Sequence, residues 1–195
     1  MKKTKTLKMV QLAILIAIVL VMAYTPLGYL RTLGLEISFL MIPVTLGAII
    51  LGPVEGAILG LVFGLTSFGT CFGTSTFGAT LLAINPVYTF IGCVVTRILA
   101  GFFAGVVFKA LKKLKFSFEI TSLIGPVLNT LFFMGALVLF FYNTDYIQSL
   151  AATIGATNPM SFVIAFVGLQ GVVEAVVCCI ICGIVSRNVY KIVNK

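Results

Sequence analysis

The chain has 195 residues, of which 61% are hydrophobic and only 9% charged, with a mean hydropathy of +1.21. Soluble domains are about one quarter charged, so most of this chain must lie in lipid or against other lipid-embedded helices. At about 20 apolar residues per span the length accommodates one domain of roughly five to seven transmembrane helices. The apolar runs are long and continuous rather than alternating, which excludes a transmembrane β-barrel.

The first apolar run, 9–24, follows the basic opening Lys2, Lys3, Lys5 and Lys8. A charged head before an apolar stretch also fits a signal peptide, but everything downstream is membrane-spanning and the topology below requires this helix. The second run, 39–51, is short and interrupted by Pro43, and a Gly52-Pro53 turn separates it from the third, 57–68. A polar, Gly-rich stretch over 69–78 then reads as a loop. Asn85-Pro86 opens the fourth run, 87–108, with proline at a favourable first-turn position. The fifth and sixth runs are 120–141 and 161–185. The expected fold is an all-α membrane protein, a six-transmembrane-helix bundle forming a single integral membrane domain over 1–195.

Lysine and arginine orient it. Eleven of the thirteen fall at Lys2–Lys8, at Lys109–Lys115, and at Arg187, Lys191 and Lys195. Six spans put all three clusters on one side, so both termini are expected in the cytoplasm. Longer loops at about 25–38, 69–84 and 142–160 then lie outside, where loops of this size often form a binding mouth. The net charge of +8 sits in short flanks of apolar runs, so it reads as topology and not as a nucleic-acid face.

Several chemistries are missing. There is no His, the commonest general base and metal ligand. The five acids, Glu36, Glu55, Glu119, Asp145 and Glu174, are scattered, and no Walker A loop is present to hold ATP. Cys93, Cys178, Cys179 and Cys182 lie in apolar runs as small hydrophobes; Cys71 sits in the predicted outer loop, and no structural disulfide is expected. No metal, cofactor or catalytic residue is assigned. A lipid-modifying enzyme would need clustered acids or His, and a secondary carrier commonly shows an inverted repeat; neither feature is found.

Polar groups inside spans are costly and need an account. Arg97 lies about 18 Å from the Lys109 end, Glu174 about 20 Å from Arg187 and Asn129 about 15 Å from Glu119, at 1.5 Å per residue. Gln170 is one turn further along the Glu174 face. These groups converge on one depth, either as a ligand site or as an Arg97–Glu174 pair that fixes packing. Asn85, Tyr88 and Thr89, with Thr66 and Ser67 on the preceding run, lie near the outer mouth; they suit a small polar ligand, or helix capping and backbone satisfaction. Gly52, Gly56, Gly60 and Gly64 form a smooth ridge, repeated by Gly101 and Gly105, for close helix packing inside the bundle. Ala13-x-x-x-Ala17 offers a small face on the first helix.

Three stretches then resemble a known family: the Ala13/Ala17 helix, Ile42-Pro-Val-Thr-Leu-Gly-Ala-Ile-Ile-Leu-Gly-Pro-Val-Glu-Gly-Ala57, and Gly60-Leu-Val-Phe-Gly-Leu-Thr-Ser-Phe68. Together with Arg97 and Gly101 they resemble the substrate-binding S-components of energy-coupling factor (ECF) vitamin transporters, over essentially the whole chain. The 66–78 segment followed by Ile84-Asn-Pro86 is most similar to the pantothenate-specific members. The resemblance implies a plasma-membrane protein, of bacterial type, that captures a vitamin outside and is not an enzyme. It implies docking through Ala13 and Ala17 on a transmembrane coupling subunit driven by two ATPases. A flexible carboxylate with hydroxyls and an amide suits Asn85, Tyr88, Arg97, Asn129 and Gln170, whereas Glu174 favours a cationic or neutral precursor such as hydroxymethylpyrimidine.

Overall fold

The computed structural model describes residues 5–25, 28–32 and 35–193. It is an overwhelmingly helical chain, with one short antiparallel hairpin pairing β1 (Tyr29–Thr32) with β2 (Leu35–Ser38) in the register Tyr29↔Ser38. Among the described residues five helices are long and apolar enough to cross a membrane.

Helix α1 (Lys5–Ala23) carries no charge after Lys8 and buries only Leu15 and Val19, one turn apart on a single face. Helix α2 (Met41–Ile50) has ten residues and is nearly all buried. At 1.5 Å per residue it is about 15 Å long, half the hydrocarbon thickness of a bilayer. The reason is local: the hairpin ends just before it, and Gly52, at φ +123°, reverses the chain into α3 (Pro53–Thr70) with Pro53 in its first turn.

The glycine ridge of α3 meets the main chain of the following long helix. A Cβ on Gly56 would lie 2.5 Å from the Gly101 carbonyl oxygen, and one on Gly64 would lie 2.7 Å from the Val94 Cα. These positions must be glycine because backbone touches backbone. That long span, Pro86–Leu111, is built from α5 (Pro86–Phe90), a π-turn over Ile91–Val95 and α6 (Thr96–Leu111). Asn85 caps it, its Oδ1 accepting from the Val87 and Tyr88 amides at 3.1 Å.

The stretches 69–84 and 142–160, expected as loops, are partly helical. Helix α3 continues to Thr70, α4 spans Thr76–Ile84 and α8 spans Asp145–Thr153. The hydroxyls there serve the helices: Ser75 and Thr144 are N-caps, accepting from the Gly78 and Ile147 amides. Between them runs α7 (Ser117–Phe141), with Pro126 inside it. Last comes α9 (Pro159–Val193), whose 35 residues extend about 52 Å.

Two apolar clusters bracket the interior. One joins Leu15 and Val19 to Met41, Val44, Leu59 and Phe63. The other joins Leu81 to Met134, Phe141, Ile147 and Phe162, and so seats α4 and α8 on α7 and α9. At the basic end, Lys8 pairs with Glu55 and Arg187 with Glu119, each at 2.6 Å. These partly buried pairs tie α1 to α3 and α9 to α7, each contributing about 1 kcal/mol or less.

Candidate ligand-binding cavity

Between the two apolar clusters lies a cavity of about 380 Å³, within the roughly 300–1,000 Å³ range of small-molecule sites. The end of α3 contributes Phe63, Ser67, Thr70 and Cys71, and the turn into α4 adds Thr74, Ser75 and Thr76. Arg97, Cys93 and Thr89 enter from the long span, Asn129 and Phe133 from α7, Glu174 from α9, and Tyr29 and Ser38 from the hairpin.

Arg97 is 8% exposed and is held chiefly by its own helix. Its Nη1 donates to the Gly92 carbonyl at 2.6 Å and to Thr96 Oγ1 at 3.1 Å. Thr96 Oγ1 donates to that same carbonyl at 2.6 Å. The π-turn makes this possible, because widening the helix lets Gly92 O serve side chains from the next turn; such turns frequently accompany functional sites. The guanidinium also lies over the Phe133 ring at 4.6 Å and near the Phe63 ring at 5.4 Å. Two aromatic faces thus fix the cation in a desolvated position, at about 2 kcal/mol when water is excluded.

Glu174 is 9% exposed. No ion pair joins it to Arg97. Four buried polar atoms around the cavity have no partner: Arg97 Nε, Glu174 Oε1, Asn129 Oδ1 and Ser38 Oγ. An unsatisfied buried polar group costs roughly 1–3 kcal/mol, so four of them around one space describe a site shaped for a polar guest. One charged donor, one hydroxyl and two acceptors suit a ligand with an anionic end and hydroxyl or amide hydrogens. Among the described residues no three His, Cys, Asp or Glu side chains converge in a way that would hold a metal ion.

Of the residues singled out from sequence, Arg97, Asn129 and Glu174 come together at this cavity. Neither Asn85 nor Tyr88 lines it: Asn85 is the helix cap, and Tyr88 faces outward at 40% exposure, stacked on Phe140 at 4.7 Å. Thr89, one residue further round the helix, turns inward and is 2% exposed. Ser67 lines the cavity, whereas Thr66 donates to the Phe63 carbonyl within its own helix. Gln170 is part of α9, but its side chain lies outside the described residues. Ala13 and Ala17 are exposed on α1, opposite the buried Leu15 and Val19. Sequence reasoning missed the Phe63–Phe133 clamp, the hairpin's Ser38 and the neighbouring Cys71 and Cys93 thiols, 4.0 Å apart. Nothing in the linear pattern distinguishes those two phenylalanines from the others.

The family described as ECF transporter, substrate-specific component, matches residues 7–186 of this chain. The pantothenic acid transporter PanT of Lactococcus lactis subsp. cremoris is 31% identical to it, with 84% of this chain and 90% of that relative covered. Both are transport components, and both fit a protein with several apolar helices around a polar cavity. The chain therefore belongs to the substrate-specific components of ECF transporters, as a multi-pass plasma-membrane protein that binds a vitamin substrate for uptake through an ECF module.

Proposed function

We propose that this chain is the pantothenate-binding subunit of an ECF-type importer. The observation that carries the reading is the desolvated Arg97 guanidinium with an open Nε, facing the open acceptors of Asn129 and Glu174 across one cavity. Pantothenate matches that set: its carboxylate goes to Arg97, and its hydroxyl and amide hydrogens go to Asn129 and Glu174. A carboxylate ligand tolerates Glu174 when its hydroxyl end, not its anionic end, meets that side chain. The similarity to a pantothenic acid transporter supports the same substrate.

Counting the half-length α2 as a sixth membrane-embedded helix, the positive-inside pattern assigns both termini and the Lys109–Lys115 segment to the cytoplasm. The cavity, lined by the hairpin and α4, then takes up ligand from the outer side. The exposed Ala13 and Ala17 face is the docking surface for a transmembrane coupling subunit, and two ATPase subunits supply the energy that this chain has no nucleotide loop to harvest. The ligand is bound and released unchanged, so the chain acts as a carrier subunit and not as an enzyme.

The deciding experiment is mass spectrometry of the small molecule that copurifies with the chain, followed by calorimetry with pantothenate. Copurified pantothenate with 1:1 binding is the expected result. Copurification of a cationic or neutral precursor such as hydroxymethylpyrimidine, with no binding of pantothenate, would overturn the substrate assignment.

A further inference from the structure

A second concavity lies on the membrane face of the bundle, between α7 and α9, with a volume of about 580 Å³. Its walls run from Val127 to Val138 on α7 and from Pro159 to Ala175 on α9, and among the described residues Thr130 is its only polar side chain. Gly135 and Gly168 leave it open, since a Cβ on either would meet nothing within 4 Å. This is the opposite of the α3 ridge, where the glycines are in contact with another helix. The groove margins are exposed, with Leu131 at 62%, Ile164 at 65% and Val172 at 61%.

We infer that this groove holds one acyl chain of a membrane phospholipid, which completes the lipid-side wall of the ligand cavity. Lining and place decide the occupant. Pro159 to Ala175 spans about 24 Å of helix axis at 1.5 Å per residue, and a polymethylene chain, about 4 Å across at carbon–carbon contact distance, lies lengthwise against the apolar side chains of both helices. The groove lies along α7 and α9, helices of the apolar membrane region, where acyl chains are the solvent.

The groove is only one side chain thick from the cavity. Thr130, Met134, Val167 and Gly171 line both spaces, and Thr130 adjoins the site residue Asn129. An acyl chain in the groove presses these side chains inward and closes the cavity against the bilayer, so ligand affinity depends on bound lipid. This consequence rests on the cavity being the pantothenate site; occupation of the groove does not.

The test is native mass spectrometry of the full chain in mild detergent with palmitoyl-oleoyl phosphatidylglycerol. Wild type is expected to retain one phospholipid. The double substitution Gly135→Leu with Gly168→Leu fills open space and is expected to reduce that species at least tenfold. In parallel calorimetry, the lipid is expected to tighten pantothenate binding at least fivefold in wild type and not in the double variant. Equal lipid retention by both proteins overturns the inference, as does a second copy of the chain in place of the lipid. Lipid retention that behaves as expected, with no pantothenate binding in any condition, supports the groove and rejects the substrate assignment. Should the double variant fail to fold, Val172→Trp serves in a chain that has no other tryptophan. Dibrominated phospholipid is expected to quench it at a lower lipid fraction than Leu139→Trp on the open face of α7, and equal quenching overturns the inference.

Discussion

Arg97 and Glu174 line the same cavity with no salt bridge between them, and Arg97 Nη1 is held instead by the Gly92 carbonyl of its own π-turn at 2.6 Å. A direct pair would neutralise both charges, and the interior would need no guest. Anchoring the guanidinium to its own helix instead leaves Arg97 Nε and Glu174 Oε1 open. The guest supplies what the protein withholds, which is the physical basis of a binding site that is ordered before its ligand arrives.

Because no ion pair joins the two, Arg97→Gln is expected to leave the bundle folded while weakening pantothenate binding at least tenfold, a loss of about 1.4 kcal/mol or more. Adding Glu174→Gln should not restore affinity. Calorimetry beside melting temperatures distinguishes the cases. Unfolding of the single variant with rescue by the double would mean that the two side chains support each other after all, and undiminished affinity in a folded variant would remove Arg97 as the carboxylate ligand.

Gly60 is packed against the main chain of Arg97, so a side chain there must displace the helix that carries the guanidinium. Gly60→Val is expected to destabilise the chain by about 3 kcal/mol and to lower ligand affinity with it. Gly135→Ala, where a Cβ meets nothing, is expected to be neutral or stabilising by up to about 1 kcal/mol. Thermal unfolding of the two variants side by side checks the contrast.

The thiols of Cys71 and Cys93 form part of the cavity wall, whereas Cys179 lies elsewhere on α9 and is only partly buried. Pantothenate is therefore expected to slow alkylation of Cys71 and Cys93 by N-ethylmaleimide at least fivefold, with Cys179 labelled at an unchanged rate. Peptide mass spectrometry over a labelling time course reads this directly. Equal rates with and without ligand would show that the ligand sits somewhere else.

Ala13 and Ala17 are exposed on one face of α1 while Leu15 and Val19 make its internal contacts. Replacing both alanines with tryptophan is expected to abolish vitamin uptake in cells and to leave ligand binding by the isolated chain intact. Large rings block the approach of a partner helix without entering the bundle. Loss of binding in parallel with uptake would assign this face to the bundle interior.

Membrane residence, the positions of the long apolar helices and the glycine ridge were legible in the chain itself. Each follows from local quantities: run length against bilayer thickness, and small residues four apart on one helix face. That Arg97, Asn129 and Glu174 meet at one cavity was legible for the same reason, because a helix converts residue count into distance. Which way a side chain turns was not. Tyr88 and Thr89 differ by one position, yet one stacks on Phe140 at the surface and the other lines the cavity. The half-length of α2, the hairpin that brings Ser38 to the cavity, and the helices within 69–84 and 142–160 also required the assembled chain. Their short apolar and polar segments are stable only where neighbouring helices bury one side of them, as α7 and α9 do for α4 and α8. Above all, the sequence contains an arginine and a glutamate at matching depth and leaves open whether they neutralise each other. Tertiary structure decided it, because the π-turn gives the Arg97 guanidinium a backbone carbonyl at 2.6 Å, and no salt bridge to Glu174 forms.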